Sequence, residues 1–249
     1  VNFFQPLKAA IMSTTSVSGQ EVRYSRPGYD IAAIDPHWAD DKMVRMIGKD
    51  RTVLEIGCAS GHFGKYLKKH ANCKVWAVEL DPRLAEQARP HYEDVIAADV
   101  SSDEAQSKIG NRKFDVILCS NVLEHTAKPL EILSALKKYL REDSANGGGF
   151  FVIALPNVAH FTIRVRLLCG NFDPDEGILG EEHLRYFTFK TAKKLIEDAG
   201  LKIDAWTFDS DKGIPKFDGL LRRVPVMGPR FLDWFYGLWP TMFSFQYIF

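Results

Sequence analysis

The feature that most narrows the fold is a rhythm. From residue 51 to residue 208, short apolar runs alternate with stretches whose apolar residues recur at helical spacing. Such alternation builds a parallel sheet covered by helices, because parallel neighbours need a crossover between them. The runs are Thr52–Ile56, Lys74–Leu80, Asp94–Ala98, Phe114–Cys119, Phe150–Leu155 and Leu201–Phe208, with an aromatic stretch, Met242–Phe249, as the last. Helices are expected over Gly61–His70, from Pro82 onward, over Ser101–Ile109 and over Pro129–Leu140. Another should start at a Thr188 cap and run to Ala199, with Gly200 ending it in a left-handed turn. The predicted class is α/β, a doubly wound sheet with helices on both faces.

Composition narrows the function. A chain of 249 residues can bury a full core. Lys plus Arg and Asp plus Glu each number 32, so no overall charge favours a nucleic-acid partner. The four cysteines, Cys58, Cys73, Cys119 and Cys169, form no CxxC pair, which fits free thiols in a reducing, cytoplasmic setting. No apolar run is long enough for a transmembrane helix. Residues 1–20 are expected to be a flexible N-terminal segment or an added leader, with Met12 suited to a native start. Residues 21–249 then form a single domain. Two long connections, 156–187 and 209–240, are rich in apolar and aromatic residues, so they are expected to cap the acceptor side.

In an open parallel sheet, ligands bind beyond the carboxyl ends of the strands. Those ends carry Glu55–Gly61, Glu79–Asp81, Asp99–Val100, Cys119–His125 and Leu155–Asn157. Gly57 and Gly61 let the chain turn tightly beside a ligand. Glu79 stands where a carboxylate can accept from two ribose hydroxyls. A diphosphate would want G-x-G-x-x-G, but the turn reads Gly57-Cys58-Ala59-Ser60-Gly61-His62-Phe63-Gly64. Ala59 takes the second glycine position and the third has slipped to Gly64. Glu55 before the turn suits an ammonium, so the pattern favours an amino-acid-bearing nucleoside.

These residues resemble the class I S-adenosylmethionine-dependent methyltransferases, from about residue 50 to 208. The resemblance implies a glycine-rich first motif at Glu55–Gly61, a ribose-binding acid at Glu79, an adenine-contacting acid at Asp99 in AADV, and a fourth-strand motif in FDVILCSNVLEH. It implies a Rossmann-like sheet of about seven strands, with Met242–Phe249 as an antiparallel last one. S-adenosylmethionine would be held by Glu55, Gly57, Cys58, Gly61, Glu79, Leu80, Asp99, Val100, Asn121 and Leu123. The stretch PNVAHFTIRVRLLCGNFDPDEGILGEEHLRYFT resembles small-molecule methyltransferases associated with bacterial sugar and glycan pathways. The expected acceptor is accordingly a small or sugar-like molecule, methylated at oxygen or nitrogen.

A hydroxyl acceptor calls for a general base. His183 and His125 are the first candidates, with His160, Arg185 and Tyr186 as acceptor-binding residues; each could equally be a satisfied structural group. Some relatives hold a divalent ion through Glu-x-x-Glu-His with a histidine downstream. Here Asn121 replaces the first Glu of that run, so no metal is expected. In the tail, Phe231, Trp234, Phe235 and Leu238 share one helical face near Arg222, Arg223 and Arg230. Peripheral membrane contact through this segment is one reading; packing against the sheet is the preferred one. Tyr24, Tyr29 and Trp38 belong to a segment that could fold over the cofactor or join the core. The rival functions are a SAM-binding partner subunit without catalysis and a nicotinamide-dependent oxidoreductase.

Overall fold

The computed structural model describes residues 16–17, 20–21, 29–31, 38–142, 148–174, 177–209, 234 and 237–249. Seven strands are β1 (Thr52–Ile56), β2 (Lys74–Glu79), β3 (Asp94–Ala97), β4 (Val116–Ser120), β5 (Phe150–Pro156), β6 (Thr207–Phe208) and β7 (Gln246–Ile248). They hydrogen-bond in the order β3-β2-β1-β4-β5-β7-β6. β1 with β2, β2 with β3, and β4 with β5 are parallel, whereas β7 is antiparallel to both β5 and β6. This is the Rossmann-like sheet with an antiparallel last strand that the sequence predicts. The helices are α1 (Ala39–Ile47), α2 (His62–His70), α3 (Pro82–Ala88), α4 (Asp103–Ile109), α5 (Pro129–Leu136), α6 (Phe161–Leu168), α7 (Phe189–Asp198) and α8 (Pro240–Phe243). Ser16–Val17 and Gln20–Glu21 form a separate antiparallel pair.

The chain divides into two compact units: residues up to Ala33 with Lys49–Arg112, and Ile34–Gly48 with Lys113–Phe249. In the first unit the apolar faces of β1, β2 and β3 are buried, as are Phe63 and Leu67 of α2 and Leu84, Ala85 and Ala88 of α3. Local chemistry sets the helix starts. Asp81 caps α3 ahead of Pro82 at its first turn, and Ser102 caps α4. That cap moves the α4 start from the expected Ser101 to Asp103.

In the second unit Val116–Cys119 and Val152–Leu155 are fully buried or nearly so, together with Met43, Val44 and Ile47 of α1. Lys42 Nζ donates to Phe208 O at 2.7 Å, fastening α1 to β6. The expected α7 boundaries hold: Thr188 and Thr191 form a reciprocal capping box, and Gly200 has φ +69°. Four expectations in this unit need correction. Helix α5 stops at Leu136 and tightens into a 3-10 turn over Lys137–Tyr139. Phe114 makes only an isolated bridge to Leu140, so β4 begins at Val116. The sixth run pairs only at Thr207–Phe208, because its partner β7 is three residues long, and Lys202 and Asp204 pair with each other at 2.7 Å instead. The last run does not begin at Met242: Pro240 starts the short helix α8, and Ser244 Oγ donates back to Pro240 O, leaving Gln246–Ile248 as strand.

The first long connection folds on itself, with α6 and a buried cluster of Ile163, Ile178 and Leu179. Residues 210–233 of the second lie outside the described residues, as do Tyr24 and Phe235. At the end of the tail Tyr247, Ile248 and Phe249 are buried, whereas the packing expected of the face with Phe231, Trp234, Phe235 and Leu238 is not seen among its described residues. Trp234, Leu238 and Trp239 are exposed instead. Tyr29 meets the His62 ring edge-on at 5.4 Å, and Trp38 immediately precedes α1. Among the described residues Cys58, Cys73 and Cys119 are buried thiols, Cys169 is exposed, and no helix is long and apolar enough to cross a membrane.

Candidate active site

In the first unit the turn after β1 holds three left-handed residues in five: Gly57 (φ +71°), Ala59 (+47°) and Gly61 (+88°). Ala59 therefore occupies a conformation that ordinarily favours glycine, at a cost on the order of 1 kcal/mol or more. Neighbouring bonds hold it there. Gly57 N donates to Val78 O at 2.8 Å, and Ala59 N donates to Glu79 Oε2 at 2.8 Å. Glu79 Oε1 accepts from Asp81 N at 3.0 Å, so this buried carboxylate ties the β1 turn to the start of α3. A carboxylate accepts about four hydrogen bonds, and two ribose hydroxyls match the remaining capacity.

Leu80, the next residue, is 70% exposed at the end of β2, an apolar surface available to a flat ring. Asp99 is exposed beyond β3, with Oδ1 accepting from Ser101 N and Ser101 Oγ, both at 2.7 Å, in an Asx-type turn. Val100 is half-buried beside it. Cys58 is fully buried; burial first, then Glu55 and Glu79, pushes its thiol far up, so only its backbone can serve a ligand. Glu55 is 1% exposed, and its Oε2 accepts from Tyr92 Oη at 2.8 Å.

The slipped glycine has a packing reason. A Cβ on Gly64 would stand 2.3–2.6 Å from three atoms of the Tyr92 ring. Gly64→Ala should therefore destabilise the fold by about 1–3 kcal/mol, read from a urea midpoint, since a ring buried on both sides cannot retreat.

In the second unit the loop after β4 begins at Asn121, with φ +53°, whose N donates to Ala154 O at 3.2 Å. Leu123 and Glu124 are fully buried in a 3-10 turn, Leu123–His125. Glu124 O accepts from both Leu184 N (2.8 Å) and Arg185 N (3.0 Å), pinning the 182–186 segment to this loop. His125 and His183 are thereby brought edge to face, with ring centroids 4.8 Å apart. His125 Nδ1 lies 3.3 Å from Glu182 O, and His183 Nδ1 lies 3.0 Å from Ile178 O. A carbonyl only accepts, so each Nδ1 carries the proton and each Nε2 the lone pair. Burial lowers the pKa of both rings, and His183 lowers that of His125 further.

One ligand atom from each of Glu124, His125 and His183 falls within 4.8 Å of the others, a set that could hold a cation. Both Glu124 carboxyl oxygens are buried without a hydrogen-bond partner, and burial pushes the group up to about 8.

The structure thus joins His125 to His183 but separates His160 from them. His160 is buried, and its Nδ1 caps α6, accepting from Thr162 N at 3.4 Å and lying 2.8 Å from Thr162 Oγ1. Arg185 reaches Ala127 O at 2.6 Å, and Tyr186 is exposed against Phe172, ring centroids 5.9 Å apart. Sequence reasoning met Glu124 only in the metal pattern that it set aside, and it missed Tyr92. An acid inside the apolar run Val-Leu-Glu was a signal for the first; nothing in PHYED marks the second.

A model described as a methyltransferase domain matches residues 23–205. The chain belongs to that family. Its class is the S-adenosylmethionine-dependent one, class I, and its cofactor is S-adenosylmethionine, which sets the nicotinamide reading aside. This methyltransferase is 29% identical over 132 residues to a ubiquinone biosynthesis O-methyltransferase of Xanthomonas campestris pv. campestris, covering 52% of this chain and 53% of that one. To its namesake in Actinobacillus pleuropneumoniae it is 29% identical over 100 residues, 37% of this chain and 42% of the relative. The chain spans about half the length of these curated relatives. A SAM-dependent methyltransferase structure from Archaeoglobus fulgidus shares the fold, with TM-score 0.56 and 19% identity over 84% of this chain and 90% of that one. These two relatives carry ubiquinone names, so the narrower glycan resemblance of the sequence gains no support from them.

Proposed function

We propose that this methyltransferase moves a methyl group from S-adenosylmethionine to a hydroxyl oxygen of a small aromatic acceptor. The observation that carries this reading is the pair His125 and His183, held with Nδ1 on backbone carbonyls and kept neutral by burial. A neutral imidazole with an anchored Nδ1 presents Nε2 as a proton acceptor, which a hydroxyl needs and a neutral amine does not. The relatives' names, O-methyltransferases, agree with oxygen. Phe172, Leu184 and Tyr186, exposed around His183, supply apolar and aromatic surface for a ring.

The donor set in the first unit fits the cofactor: Glu79 for the ribose, Leu80 and Val100 for the adenine face, Asp99 for its edge, Glu55 for the ammonium, and the open backbone of Gly57–Gly61. When bound, S-adenosylmethionine supplies an electrophilic methyl group and its own leaving group. The chain's own residues orient it, hold the acceptor, and take up the hydroxyl proton at Nε2 of a histidine.

The test is release of S-adenosylhomocysteine across phenols and catechols, sugars, and amines. Phenol-dependent turnover is expected. Turnover on sugars alone would return the acceptor to the sugar-like class, and S-adenosylhomocysteine binding without any turnover would favour a non-catalytic partner subunit. Glu79→Ala should weaken S-adenosylhomocysteine binding roughly 100-fold by calorimetry, because two hydrogen bonds to a charged group and the turn itself are lost together.

A second reading has one observation in its favour, the unpartnered Glu124 carboxyl beside two imidazoles. Two nitrogens and one carboxylate suit Mn, Fe, Co or Zn better than Ca. Sequence reasoning argued against a metal because Asn121 lacks a carboxylate; the set Glu124, His125 and His183 does not include that position. An ion held there would polarise an acceptor oxygen.

A further inference from the structure

Tyr92 lies two residues before the start of β3 and was not implicated by any motif, yet it bears on Glu55, Gly61 and Gly64 around the β1 turn. Its hydroxyl donates to Glu55 Oε2 at 2.8 Å and accepts from Gly64 N at 3.1 Å. Its ring fills the space that a Cβ on Gly64 would need, and an atom of the same ring stands 3.0 Å from where a Cβ on Gly61 would be. Gly61 and Gly64 are thus both short of side chains on the face that this ring occupies. Burial, with Glu55 and Cys58 close by, holds the phenol well above its usual range, so it stays a neutral donor at any working pH.

We infer that Tyr92 is a positioning residue for the methyl donor: its hydroxyl fixes the Glu55 carboxylate for the cofactor's ammonium while its ring sets the shape of the glycine turn. The inference rests on the reading that Glu55 receives that ammonium. A phenol has one proton to give, and here it goes to Glu55, so one rotamer of the carboxylate is selected. Gly64 N, in the first turn of α2, occupies the acceptor side of the same oxygen and fixes the direction of that proton. Without the hydroxyl, a buried carboxylate loses a donor and its orientation while the ring packing stays.

Two ligands separate positioning from simple loss of structure. S-adenosylhomocysteine carries the amino-acid tail, whereas 5′-methylthioadenosine keeps the adenosine and lacks the ammonium. Tyr92→Phe is expected to weaken S-adenosylhomocysteine roughly tenfold and leave methylthioadenosine within about twofold, by calorimetry at a temperature well below both melting midpoints. Glu55→Gln should show the same selectivity, and adding Tyr92→Phe to it should cost nothing more, since the two act through one contact. Equal weakening of both ligands, no weakening of either, or full additivity of the two substitutions would overturn the inference while wild-type binding keeps the cofactor reading intact. If Glu55→Gln leaves S-adenosylhomocysteine unaffected, the ammonium reading itself fails, and the inference falls with it.

Discussion

Replacing His183 by Ala should lower kcat by about 10²–10³-fold on a hydroxyl acceptor while leaving S-adenosylhomocysteine affinity within about twofold. The acceptor proton has to leave as the carbon–oxygen bond forms, and a positioned base contributes on this scale. His183 should matter more than His125. Its Nδ1 is closer to its carbonyl anchor, 3.0 Å against 3.3 Å, so the ring is better oriented. Burial lowers the pKa of both rings, so both offer a neutral Nε2 and orientation decides between them. His125→Ala should accordingly cost less, on the order of tenfold, largely by loosening the ring against which His183 packs. The pH profile gives a second check. A base works in its neutral form, so kcat/KM should rise with pH through a pKa below the usual 6.5 and then stay level. Unchanged turnover in both variants would leave catalysis to positioning alone.

The candidate cofactor residues were legible in the sequence because they are local. Strand ends, turn glycines and an acid about twenty residues on are read along the chain, and Gly57, Gly61, Glu79 and Asp99 all stand at the expected strand ends in the structure. Even the oddity at Ala59 keeps its meaning: the residue takes the left-handed backbone a glycine would take, held by Glu79. The acceptor half was legible only as a shortlist. What joins His125 to His183 and leaves out His160 is a pair of backbone bonds, Leu184 N and Arg185 N to Glu124 O, between segments some sixty residues apart. No spacing rule encodes such a bond. Tyr92 escaped for the same reason, since its partner Glu55 is 37 residues away. Short strands fail differently: β7 pairs with β5 over three residues and edge strand β6 pairs with β7 over two, so the apolar pattern over 201–208 and 242–249 overstated both.

Glu124→Gln should make the protein more stable at high pH and change little at pH 5. The carboxyl is fully buried with neither oxygen partnered, and burial pushes its pKa from the ordinary 4.5 up to about 8. Between those values the unfolded chain releases the proton while the folded chain keeps it, so the unfolded state binds fewer protons and stability falls as pH rises. The loss is complete once pH passes the folded pKa. Over the whole window it amounts to at most about 5 kcal/mol, on the order of 10–20 °C in Tm for a chain of this size. The difference between wild type and Glu124→Gln isolates this one group, because every other titration is common to both proteins. A difference that stays flat from pH 5 to pH 9 would mean that the carboxyl is solvated or partnered in solution. Manganese adds a second arm. A cation bound by Glu124, His125 and His183 favours the ionised carboxylate and the neutral imidazoles, so it should raise the wild-type midpoint most at high pH and abolish the pH slope. Glu124→Gln, having lost the anionic ligand, should gain far less. A wild-type slope that manganese leaves untouched would remove the cation reading and keep the histidines as the chemistry of the acceptor side.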